Sequence, residues 1–157
     1  AADEQLARIA ADPAGFVASL VDREATGEPI ALPDGSTVAR LPGYLRWMWD
    51  GEFCGSIGLR WQRGTEALPP TCPGHVGYAV VPWKRRLGYA TSALRQILPE
   101  ARSEGLAWIE VTTDPDNVAS QRVIEASGGV LVERYAKPPQ LGGGPGLRYR
   151  IDLAPRA

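Results

Sequence analysis

The stretch of this sequence whose residue types most clearly suit a chemical task is Gly74–Thr91. A short apolar run, Val76–Val81, ends at Pro82. Lys84, Arg85 and Arg86 follow, and then Leu87, Gly88, Tyr89, Ala90 and Thr91 open a helical pattern. The first turn of a helix carries N–H groups without helical partners and the positive end of the macrodipole. A glycine there lets an anion approach the backbone closely. With three cations at the same end, the segment reads as a seat for a pyrophosphate. The other phosphate-cradling patterns, G-x-G-x-x-G and G-x-x-x-x-G-K-[ST], do not occur.

Two residues near this seat are candidates for moving a proton. Glu110, in Trp108-Ile109-Glu110-Val111, lies on the strand face opposite Ile109 and Val111. It is either a general base or a partner for Arg148 or Arg150. His75 is the only histidine, and an ordinary pKa near ~6.5 suits a proton relay. A hydrogen-bonding role at a strand end is the alternative. Cys54-Gly55-Ser56-Ile57-Gly58 is one residue short of a nucleophile elbow and falls in a hairpin strand, which excludes a serine hydrolase of that type. One histidine and two distant cysteines exclude a standard zinc site, so no metal is expected.

The elements that position these groups follow from periodicity. Residues 3–25 have helical spacing, divided at Pro13. Residues 26–43 are rich in Gly and Pro and read as loop, with one short strand near Thr37–Arg40. Tyr44–Trp49 and Phe53–Trp61 form a hairpin across Asp50-Gly51. Its tryptophans, with Trp83, are expected in packing, or as an aromatic wall for an organic cation. Val76–Val81 is a strand. Leu87, Ala90, Leu94, Ile97, Leu98 and Ala101 give Arg86–Arg102 a core-facing stripe. Ala107–Thr113 alternates as a strand, Asn117–Ser127 is a helix stopped by Gly128-Gly129, and Val130–Tyr135 and Leu147–Leu153 are strands. The order predicts a mixed α/β (α+β) domain with one sheet and helices on both faces.

Arg85-x-x-Gly88-x-Ala90, following that strand, resembles the R/Q-x-x-G-x-G/A acetyl-CoA signature of the GNAT superfamily of N-acetyltransferases. Asn117-x-x-Ser120 with Ile124–Gly129 resembles its second block. The likeness spans roughly 44–153, is most specific over 74–135, and is nearest to a bacterial branch of acetyltransferases. It implies one domain over 1–157: acceptor-side helices and loop at 1–43, a cofactor-binding core at 44–135, and a C-terminal loop and strand at 136–157. It implies a mostly antiparallel sheet in which the strand at 76–81 splays from its parallel neighbour at 107–113.

The pantetheine arm of acetyl-CoA would pair with the backbone of Tyr78, Ala79 and Val80. The amides of Arg86, Leu87, Gly88, Tyr89, Ala90 and Thr91, with Arg85, would hold the pyrophosphate. Asn117 and Ser120 would lie near the thioester. Many members place a tyrosine seven residues after the asparagine to protonate the leaving thiolate; here that residue is Ile124, leaving Ser120, a water or no group for the task. Glu110 matches a catalytic glutamate of some members. The implied activity is direct acetyl transfer from acetyl-CoA to a primary amine, of a small molecule rather than a protein N-terminus. The alternative is a degenerate domain that binds acyl-CoA as a sensor or scaffold. Homodimers are common in the superfamily, so a homodimer is a further expectation.

Composition bounds the rest. The 157 residues, 44% hydrophobic and 22% charged, suit one domain with its own core. A net charge of -1 argues against nucleic acid as the main partner. No apolar run is long enough for a membrane span and no signal peptide is visible, so a cytoplasmic setting with Cys54 and Cys72 as free thiols is the expectation.

Overall fold

The computed structural model describes residues 2–153. Pro13 divides the N-terminal helical pattern as its missing donor requires, giving α1 (Ala2–Ala11) and α2 (Pro13–Ser19). Asp12 caps α2 by accepting from the Gly15 N–H at 2.9 Å. Three two-residue strands follow, β1 (Val21–Asp22), β2 (Ile30–Ala31) and β3 (Thr37–Val38). The hairpin is β4 (Gly43–Trp49) and β5 (Phe53–Arg60), and β6 is Val76–Val80. Helix α3 (Tyr89–Ser103), β7 (Trp108–Thr113), α4 (Val118–Ala126), β8 (Val130–Ala136) and β9 (Pro145–Asp152) complete the order.

The strands form a four-stranded sheet, β1-β4-β5-β6, and a three-stranded sheet, β7-β9-β8, with antiparallel pairing inside each; β2 and β3 pair separately. The two larger sheets meet where β6 begins beside β7. Leu94 and Ile97 of α3 and Ile124 of α4 pack with Ile57, Leu59, Ile109 and Ile151 in one core. Burying each of these aliphatic side chains is worth about 1.5–3 kcal/mol. Helix α2 lies on the other face, where Phe16 stacks against Trp47 at 5.9 Å, because alternate residues of β4 point to opposite sides. Among the described residues no helix is long and apolar enough to cross a membrane. Cys54 and Cys72 are both free thiols.

Three expectations change: the helical run expected over 3–25 ends at Ser19, and Val21–Asp22 pair with β4 as β1 instead. Helix α3 starts three residues later than its apolar stripe suggests, because Arg86 and Gly88 take positive φ values of 63° and 80°, which no right-handed helix contains. Of the tryptophans expected in packing, Trp61 is buried, but Trp49 and Trp83 are 64% and 71% exposed.

The junction between the sheets is made by His75. Its backbone N–H donates to the Glu110 carbonyl at 2.8 Å, and its ring Nδ1 accepts from the Glu110 N–H at 2.9 Å. The ring is wholly buried and packs edge-on against Trp108 at 6.0 Å. Burial pushes its pKa below the ordinary 6.5, against the pull of the Glu110 carboxylate. Protonating Nδ1 would also set one N–H against another. The folded state therefore binds this proton less readily than the unfolded chain, so stability is full above pH 6.5 and falls as pH drops below it. His75→Asn should lose this dependence: between pH 7.5 and 5.5 wild type should lose up to about 1.4 kcal/mol per pH unit more than the variant in urea unfolding.

Candidate functional site

Beyond His75, β6 and β7 part. Arg60 N–H donates to the His75 carbonyl and Val81 N–H to the Cys54 carbonyl, each at 2.9 Å. In an antiparallel ladder these directly bonded pairs recur at every second residue. The register Gly58↔Gly77 and Ser56↔Ala79 therefore turns the backbone groups of Gly77 and Ala79 toward β5. Those of Tyr78 and Val80 face the gap beside β7. This corrects the sequence expectation for Ala79, which offers its backbone to the sheet and not to the gap. At present the Val80 carbonyl accepts from Arg85 Nε at 3.2 Å.

One turn further on, the chain reaches α3. Its first helical bond is Ser92 N–H to the Gly88 carbonyl at 3.0 Å, so the N–H groups of Tyr89, Ala90 and Thr91 have no helical acceptor. The N-cap is Gly88, and no side chain caps the helix. Helices α2 and α4 are capped instead by Asp12 and Asn117. A Cβ added at Gly88 would meet nothing within 4 Å, so the space above this turn is open. Arg85, Arg86 and Leu87 precede it in the turn, and Arg86 holds its positive φ at a cost of about 1 kcal/mol.

Lys84, grouped with the phosphate cations in the sequence, is engaged elsewhere. Its ammonium bridges Asp50 at 2.9 Å and Glu52 at 2.7 Å. The Tyr89 hydroxyl donates to the same Asp50 at 2.6 Å. These hydrogen bonds, from Tyr89 first and then Lys84, hold the Asp50 carboxyl well below the usual range. The hairpin turn thus grips both ends of Arg85–Gly88 and leaves the turn itself facing outward.

Across the gap, Asn117 Oδ1 accepts from the Ser120 N–H at 3.1 Å, capping α4 and leaving the Asn117 amide donors for other partners. The Ser120 hydroxyl lies 2.8 Å from that of Tyr78. Ile124, at the position where the resemblance looks for a tyrosine, is fully buried. A Cβ on Gly129 would come within 2.4 Å of its side chain.

The two proton-moving candidates have structural surroundings. Both oxygens of Glu110 are engaged, by Arg148 at 2.9 Å and Arg150 at 3.1 Å, which is the pairing foreseen as the alternative to a base. Arg150 also stacks on Trp108 at 3.7 Å, and Arg148 reaches Glu133 at 2.8 Å. His75, with Nδ1 accepting from backbone and no exposed surface, points at no substrate space. The grip of Asp50 and the Tyr78–Ser120 contact could not be read from spacing, because each joins elements more than 30 residues apart. Among the described residues no group of three or more His, Cys, Asp or Glu side chains could hold a metal ion.

The family model for the acetyltransferase (GNAT) domain matches residues 1–130. The chain belongs to the GNAT acetyltransferase family. No curated protein matches it. Solved structures similar to it include an acetyltransferase of Bacillus subtilis in complex with CoA, at 16% identity and TM-score 0.57, covering 71% of this chain and 78% of that one. The microcin C7 self-immunity acetyltransferase MccE, in complex with acetyl-CoA and AMP, has 14% identity and TM-score 0.59, covering 70% and 61%. An aminoglycoside acetyltransferase in complex with coenzyme A and kanamycin has 14% identity and TM-score 0.53, covering 70% and 66%. At such identities the likeness concerns the fold, and the chain spans about six-tenths of the length of MccE.

Arg86 offers a test of the turn. Arg86→Gly should relieve the strained φ and raise Tm by about 2–4 °C, the shift expected for about 1 kcal/mol in a domain of this size. The same change should weaken coenzyme A binding in calorimetry by removing one cation.

Proposed function

We propose that the chain is an N-acetyltransferase that moves the acetyl group of acetyl-CoA to a primary amine of a small molecule by direct attack on the thioester. The observation that carries this reading is the continuity of two features. The backbone groups of Tyr78 and Val80 face an open gap, and one turn later the uncapped amides of Tyr89, Ala90 and Thr91 face open space at Gly88. An amide-bearing arm suits the first, since it can pair with a strand edge as another strand would. A pyrophosphate suits the second, with Arg85 released from the Val80 carbonyl to join Arg86 beside it. The Asn117 amide and the Ser120 hydroxyl border the thioester end.

In this reading the amine nitrogen attacks the thioester carbon, the C–S bond breaks, and the sulfur leaves with its electron pair. Ser120 donates a hydrogen bond to that sulfur. Glu110 and His75 hold the sheets in place, and the amine's excess proton leaves through water in the gap.

Calorimetric titration with acetyl-CoA and desulfo-CoA, followed by thiol release with a panel of amines, tests the proposal. Wild type should bind both ligands and release thiol with at least one amine. Gly88→Glu, which puts a carboxylate into the anion seat, should bind at least about tenfold more weakly, a loss of about 1.4 kcal/mol. Binding without release across a broad panel would favour an acyl-CoA sensor, and absence of binding would refute both readings.

A further inference from the structure

We infer that Tyr78 is a positioning residue for thiolate departure: its hydroxyl orients the Ser120 hydroxyl so that the serine proton points at the leaving sulfur. The inference rests on the acetyl-transfer reading and names the group that replaces a tyrosine at position 124.

Either hydroxyl could donate along the short Tyr78–Ser120 contact, and the inference takes Tyr78 as its donor. The Tyr78 hydroxyl lies 2.8 Å from Ser120 Oγ and 3.4 Å from the Ser120 carbonyl. The shorter contact has ordinary O–H···O length and the longer one is marginal. A Tyr78 proton donated along the shorter contact fills one acceptor site of Ser120 Oγ and leaves the serine's own proton to be used elsewhere. Ser103 and Ser127, at the C-terminal ends of α3 and α4, spend that proton on the carbonyls of Pro99 and Val123, each at 3.0 Å. Ser120 stands in the first turn of α4, where no helical carbonyl lies four residues behind it. Its proton therefore lacks the acceptor four residues back that Ser103 and Ser127 use.

The placement suits the task. Tyr78 sits on the strand whose backbone faces the gap, and its ring packs against the core, so it reaches Ser120 from the opposite wall. Burial pushes the Tyr78 pKa above its ordinary value, so the hydroxyl remains a neutral donor over the working range. Helix α4 offers no substitute one turn on, because Ile124 is buried.

In the step itself the amine nitrogen forms the N–C bond, the C–S bond breaks, and the electron pair stays on sulfur. The Ser120 O–H stabilises that thiolate without surrendering its proton. Tyr78 keeps its own proton and fixes the serine rotamer, and the amine's proton goes to water.

Tyr78→Phe keeps the ring and removes only the hydroxyl, and Ser120→Ala removes the group it orients. With acetyl-CoA, Tyr78→Phe should lower kcat about tenfold and leave KM unchanged, and Tyr78→Phe/Ser120→Ala should lose no more than Ser120→Ala alone. With S-(4-nitrophenyl) thioacetate, whose thiolate leaves unaided, Tyr78→Phe should stay within about twofold of wild type. A second readout needs no turnover. The thiol of bound CoA, followed by thiolate absorbance, should titrate about one pH unit lower in wild type than in Tyr78→Phe. Equal losses on both thioesters, additive losses in the double variant, or an unchanged thiol titration would overturn the inference. A lowered thiol pKa in a wild type that acetylates no amine would support it while refuting the transferase reading; no CoA binding at all would refute both.

Discussion

The two hydrogen bonds between His75 and the Glu110 backbone set the terms for everything else in this structure. They fasten the two sheets at one point, at the start of β6, and use a side-chain nitrogen where a regular ladder would use a carbonyl. Gly74 eases the close approach, since a Cβ there would meet the Glu110 carbonyl at 3.0 Å. With the strands pinned at one end, the right-handed twist of each sheet carries them apart at the other. The backbone groups of Tyr78 and Val80 are thereby left facing a gap. A buried neutral imidazole is an expensive tie, since it forgoes hydration and the charged state. It yields an open strand edge in the middle of a domain instead of at its rim, bounded by α4 on one side.

The same economy governs the turn that follows. Helices α2 and α4 begin with side-chain caps, whereas α3 begins at a glycine and leaves three amides facing outward. An uncapped helix start and a positive φ at Arg86 both cost stability, and the chain offsets this with the Asp50 grip. The Asp50 carboxylate takes the Lys84 ammonium on one side of the turn and the Tyr89 hydroxyl on the other. The exposed residues are thus held by contacts that do not occupy them. Local cost at such a turn, borne by contacts just outside it, is what the proposed ligand seat would require.

Much of this was legible in the sequence. The apolar stripe of α3, the alternation of β7 and β9, the Asp50-Gly51 hairpin and the break at Pro13 all rest on local periodicity or on single-residue backbone constraints. The structure reproduces them to within a few residues. Arg85, Gly88 and Ala90 marked the turn for the same reason, and the structure places an uncapped helix start there. What spacing could not give were interactions between distant segments. The start of α3 moved because Arg86 adopts a conformation its residue type does not advertise. Lys84 left the phosphate set because Asp50, on another hairpin, claims it. Glu110 has the sequence surroundings of a base, but its cross-strand partner is Arg150 and its diagonal neighbour is Arg148. Whether a carboxylate works as a base or as a tie depends on which residue stands opposite.

The central claim is that the gap beside β6 receives the arm of coenzyme A through alternate backbone groups, and amide hydrogen exchange resolved to single residues tests it most directly. Saturating CoA should slow exchange at Tyr78, Val80, Ala90 and Thr91, while Gly77 and Ala79, already bonded to β5, should change little. Protection spread evenly along β6, or confined to surfaces away from the gap and the Gly88 turn, would contradict the account.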